Sequence, residues 1–164
     1  MNTDKSIEVF NTLIEINDDR IEGYRTASKA TEKNSLKKLF LEFQQTSLKC
    51  KSELIKEIKK LGGIPRETIK INNLFSKFWI NLKAALICKD SKDIINHCES
   101  HEHITGLYYR NALLFKVENL SLEQQIMLQK HYSLINIDNS KIINLRKRLF
   151  ENKCFLLKQG ITIL

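Results

Sequence analysis

Proline occurs once in this chain, at position 65, and that near-absence of chain breaks limits the fold more than any motif does. Proline interrupts a helix by removing a donor, and glycine by its backbone entropy. Only five glycines accompany it in 164 residues, so long helices are the expected element. Apolar positions recur every three or four residues, as they do on a helix with one buried face.

Four main helices follow from that period. The first is expected from Thr3 or Asp4, either a suitable N-cap, to about residue 31. Its stripe reads Ile7, Phe10, Ile14, Ile21 and Tyr24, with Asn17, Asp18 and Arg25 at or near the same face. The second opens at Asn34-Ser35 and stops at Gly62-Gly63, with Pro65 beyond. The third starts near Asp90-Ser91 and follows Ile95, Cys98, Glu102, Thr105, Tyr109 and Ala112. The fourth begins at Ser121, where Ser-Leu-Glu-Gln offers a capping box closed by Gln124. Helices one and two are tightly joined, as are three and four. The crossover between the pairs, residues 62–90, holds an amphipathic segment from Leu74 to Ile87 around Trp79. Two hairpins joined by one long crossover containing a short helix is the connectivity of an all-α, ferritin-like four-helix bundle. The bundle is expected over residues 1–150. The apolar tail 151–164 is expected to pack on it or on a partner, which makes self-association the expected partnership.

No apolar run is long enough to span a bilayer, and the first residues read as neither a basic nor an apolar leader. A cytoplasmic protein is expected. Cysteines 50, 88, 98 and 154 have no metal-ligand spacing and read as small apolar residues. The formal charge of +8 is spread over helix exteriors and mixed with glutamates. A nucleic-acid binder would concentrate it; the densest patch, Arg146-Lys147-Arg148, equally suits a solvated helix. A basic nucleic-acid-binding bundle is therefore the lesser alternative.

Residues 98–109 carry the chain's one concentration of chemistry: Glu99, His101, Glu102, His103 and Tyr109 on one helix. Glu102 falls on the inward stripe, and a carboxylate there must be paired, hydrogen-bonded, protonated or metal-bound. A di-iron site requires Glu-x-x-His pairs, and none of the four histidines follows a glutamate by three residues. What remains for iron or manganese is Glu22, Glu99, Glu102 and His103, enough for one ion and short for two. The simpler expectation is a non-catalytic protein without cofactor, in a structural, stress-associated or self-assembling role. Its Glu102 would be held in a buried polar cluster with Asp18, Arg25, Tyr109 and Asn139, or by Tyr24. His97 and His101 are expected to face solvent, and His131 to be a packed histidine. No Gly-rich phosphate loop or nucleophile motif is present.

Several phrases carry a family resemblance. They are Asp19-Arg20-Ile21-Glu22-Gly23-Tyr24-Arg25, Leu36-Lys37-Lys38-Leu39-Phe40, Leu61-Gly62-Gly63-Ile64-Pro65, Phe78-Trp79-Ile80-Asn81-Leu82, Cys98-Glu99-Ser100-His101-Glu102 and Leu145-Arg146. In order and spacing, over about residues 6–148, the chain resembles a bacterial ferritin-like family known as domain of unknown function 2383. The resemblance implies a ferritin-like bundle without an established activity. It also implies departures at Arg20, where the family pattern has glycine, at His103, and at Asn139, where it favours histidine. His103 would then be a replacement ligand if the family binds metal.

Overall fold

The structure is a computed structural model that describes residues 2–66 and 73–158, with 73–78 and 150–158 described by their backbone. Its elements are α1 (Thr3–Ala30), α2 (Asn34–Lys60), α3 (Asn73–Ile87), α4 (Ser91–Phe115), a 3-10 turn (Val117–Asn119) and α5 (Leu122–Lys158). Among the described residues there is no strand, and the protein is all-α.

Local chemistry sets the helix ends. Asn2, one residue before the expected caps, starts α1 by accepting the Lys5 N–H at 3.1 Å. The Asp90 carboxylate accepts from the N–H groups of Lys92 and Asp93 to start α4. At α5 the capping box closes reciprocally, Gln124 N–H to Ser121 Oγ at 3.2 Å and Ser121 N–H to Gln124 Oε1 at 3.0 Å. Helix α2 ends in a Schellman turn: Gly62 takes a positive φ of 76°, and the Gly63 N–H donates to the Ile58 carbonyl at 3.0 Å. The expected tail is, in backbone, a continuation of α5 to Lys158. Its expected packing over 151–164 lies outside the described residues.

Contacts between named residues give the running order. Asp18 meets Lys51, and Tyr24 stacks on Phe40, so α1 and α2 are antiparallel. Glu99 pairs with Arg146 and Tyr109 meets His131, so α4 and α5 are antiparallel too. Asn17 bonds to Tyr109 and Arg20 to Glu102, which sets α4 against α1 in the opposite sense. Glu42 pairs with Lys141 and Glu53 with His131, doing the same for α2 and α5. Helices α2 and α4 thus run the same way, and the chain must return the length of the helices between them. Helix α3 belongs to that return and packs on α1 and α4. Near the start of α4, Lys33 Nζ donates to Ser91 Oγ at 2.8 Å.

Two apolar clusters fill the interior. One gathers Tyr24, Phe40, Phe43, Leu82, Ile95, Cys98 and Ile142. The other gathers Phe10, Leu13, Ile14, Leu54, Ile58, Leu128 and Ile135. Between them in sequence on every main helix lies a buried polar residue: Arg20, Ser47, Glu102 or Asp138. This layer divides the core at mid-height.

A buried arginine–carboxylate layer as candidate functional site

Arg20 is fully buried and is the largest side chain with essentially no exposure. A guanidinium has five N–H donors in a planar fork, and an unmet one in the interior costs on the order of 1–3 kcal/mol. All five are met here. Nε donates to Glu102 Oε1 at 2.9 Å, and Nη2 to Glu102 Oε2 at 2.7 Å and Asp138 Oδ2 at 2.8 Å. Nη1 donates to the Phe43 carbonyl at 2.8 Å and to Ser47 Oγ at 2.9 Å. Tyr24 Oη adds a bond to Glu102 Oε1 at 2.6 Å, while the Tyr24 and Phe43 rings each lie 5.4 Å from the guanidinium carbon. One arginine on α1 therefore ties together α2, α4 and α5.

The electrostatics follow the geometry. Burial alone would raise the Glu102 carboxyl, but the Arg20 charge and the hydrogen bonds from Arg20, with His101 nearby, hold it down at about 2. Burial also works against the Arg20 charge, and Glu102 overcomes it, so the guanidinium stays protonated beyond its ordinary range. Asp138 goes the other way: burial pushes its carboxyl up, and its single bond to Arg20 offsets this only in part. Both carboxylates share the guanidinium, Glu102 through two hydrogen bonds and Asp138 through one. Lys141 Nζ, 3.6 Å from Asp138 Oδ1 and part exposed, supplies a second cation at the edge of the layer.

The residues singled out from sequence are scattered by this arrangement. Glu102 is at the centre. Tyr109 is buried one layer away, where its Oη accepts from Asn17 Nδ2 at 2.7 Å. Arg25 points outward and pairs with Glu22, both more than half exposed. Asp18 pairs with Lys51 toward the surface, and Asn139 is half-buried with Asp138 taking the inward position of that turn. The cluster expected from Asp18, Arg25, Glu102, Tyr109 and Asn139 is thus corrected to Arg20, Tyr24, Ser47, Glu102 and Asp138. The reason is helical phase. The inward residue in that turn of α1 is Arg20, one position before Ile21, because α1 is covered by α3 as well as by α2 and α4 and buries a wider arc than its apolar stripe.

The four metal candidates do not converge either. Glu22 is with Arg25, Glu99 accepts from Arg146 at 2.7 Å, Glu102 is held by Arg20, and His103 is exposed. Among the described residues no three His, Cys, Asp or Glu side chains form a metal-holding group. His101, expected outside, is fully buried: its Nε2 lies 3.2 Å from Asp19 Oδ2, and Trp79 of α3 covers it at 4.7 Å between ring centroids. Trp79 Nε1 donates to the same Asp19 oxygen at 3.0 Å. His131 is buried against Tyr109 with Nε2 2.9 Å from Glu53, and burial lowers its basicity.

A helical protein whose mid-height layer is closed by an internal arginine is the class that fold and site define. The chain belongs to the family described as Domain of unknown function (DUF2383), whose model matches residues 5–114. That match takes in Arg20, Ser47 and Glu102 and stops before α5, so Asp138 and the Leu145-Arg146 phrase lie outside it. No curated protein matches the chain.

Proposed function

We propose that this is a non-catalytic, cytoplasmic bacterial protein with a ferritin-like four-helix bundle, serving a structural or self-assembling role. The up-down-down-up order of α1, α2, α4 and α5, with α3 in the return between α2 and α4, supports the ferritin-like reading. The observation that carries the non-catalytic reading is the saturation of Arg20. In bundles that do metal chemistry, inward carboxylates from facing helices share a cation with open coordination positions. Here the inward carboxylates share a guanidinium whose donors are all spent. Glu102 stays ionised at neutral pH and so is a poor proton carrier. Exposed apolar side chains at the α4–α5 turn, Leu114, Phe115, Leu122 and Ile126, support self-assembly.

Elemental analysis of protein expressed with added iron, manganese or zinc tests this reading, with light scattering on the same sample for assembly. The expected result is metal far below one atom per chain and a mass above the monomer. A full-occupancy transition metal that disappears in Glu102→Ala would overturn it in favour of a carboxylate/histidine metal protein.

A further inference from the structure

Helices α2 and α5 meet along few residues. Along this seam their surfaces part to leave an open groove of about 640 Å³. Lys37, Lys38, Leu41 and Lys49 line it from α2, and Leu134 and Lys141 from α5. The one acid in its wall, Glu42, is already bonded to Lys141 at 3.0 Å. The α2 wall extends from Asn34 to Lys49, about 22 Å at ~1.5 Å per residue.

The floor is apolar and uncovered. Its apolar residues are Leu41 of α2, 42% exposed, and Leu134 of α5, half-buried. The groove's length, about four helical turns, and its apolar floor suit an amphipathic helix laid along it. The basic rim selects the charge of that helix. A second copy of this chain would bring more of its net +8 to Lys37, Lys38 and Lys49, whereas an acidic helix would be attracted to them.

We propose that the α2–α5 groove docks an acidic amphipathic helix of a protein partner. Its apolar stripe would lie over Leu41 and Leu134, and its Asp and Glu side chains would meet Lys37, Lys38 and Lys49.

The test is a titration of the isotope-labelled full chain, followed by amide chemical shifts. The probe is a designed helical peptide of ~16 residues with a leucine stripe flanked by glutamates, and the control replaces every glutamate with lysine. Phosphatidylglycerol vesicles and a short DNA duplex form two further arms. The expected result is saturable binding of the acidic peptide, with shifts confined to residues 34–49 and 134–141. Binding should weaken about tenfold or more in Lys37→Glu/Lys38→Glu and in Leu41→Asp, surface changes whose folding is checked by circular dichroism. No saturation by ~1 mM, equal binding of the lysine-flanked peptide, or shifts spread over the surface would overturn the proposal. So would vesicles or DNA binding through these lysines while the acidic helix does not.

Discussion

Arg20 grips Glu102 through two parallel hydrogen bonds, Nε to Oε1 at 2.9 Å and Nη2 to Oε2 at 2.7 Å, with both side chains shut off from solvent. The fork-to-fork match is the strongest geometry available to an arginine and a carboxylate. Its value to the fold is mainly specificity. Taking two charges out of water offsets much of their attraction, so the pair adds little over an apolar substitute, but loss of one member leaves the other stranded. Registering α1 on α4 by one turn in either direction would strand both. This is how one layer of four helices can fix the alignment of the two apolar clusters above and below it.

Acid should weaken the fold through Glu102. Its folded carboxyl sits at about 2, below its ordinary 4.5, so its contribution is fully present above about pH 4.5 and is lost as pH falls toward 2. The shift corresponds to a contribution on the order of 3 kcal/mol. Asp138 has a raised folded value and runs the opposite way, since protonation favours the folded form and partly offsets the loss. Urea midpoints between pH 7 and 2.5 should fall in the natural chain, fall less steeply in Glu102→Gln, and fall more steeply in Asp138→Asn. Equal slopes in all three would contradict the assignment.

Gly23 should tolerate no side chain. A Cβ there would lie 1.8 Å from Trp79 Cζ2, inside the indole that α3 lays against α1. Gly23→Ala must displace the ring and with it the hydrogen bond to Asp19, at a cost of about 1–3 kcal/mol. Trp79 is the one tryptophan in the chain, so its emission reports on this contact directly. A red shift with a lower melting temperature is expected, and an unchanged spectrum would show that α3 does not pack there.

Thiol reactivity should sort the cysteines by burial. Cys50 is pushed up to about 11 and Cys98 further still, chiefly by burial, whereas Cys88 is exposed at the end of α3. In a Cys154→Ser background, a chromogenic disulfide reagent should modify one thiol quickly and two only on unfolding. Fast modification of all three would place the interior in contact with solvent.

The long helices, the glycine stop of α2 and the Ser121–Gln124 box were legible in the sequence because they rest on local rules. Glycine at a left-handed position and a reciprocal side-chain cap act within five residues. The inward position of Glu102 was legible for a similar reason, as it sits on a regular apolar stripe. Its arginine was not. Arg20 adjoins Ile21, and an apolar stripe drawn through Ile7, Phe10, Ile14, Ile21 and Tyr24 puts the guanidinium outside. The signal available was the break at position 17, where Asn17 rather than an apolar residue is buried and the face turns toward Arg20. His101 was misread for a different reason: α3 covers it from across the crossover, a tertiary fact that no period of one helix contains.

Arg20 is the internal cation on which the interior of the four helices is organised, and denaturant unfolding of four chains puts that to the test. Arg20→Met alone should cost about 3–5 kcal/mol, because it strands Glu102 and crowds charge onto Asp138. Arg20→Met/Glu102→Leu/Asp138→Leu should recover at least about 2 kcal/mol of that loss, since no charge is then left unpaired. Arg25→Ala, which removes a pair more than half exposed to solvent, should stay within about 0.5 kcal/mol of the natural chain. A stability for Arg20→Met within about 1 kcal/mol of the natural chain, with no recovery in the triple variant, would rule that role out.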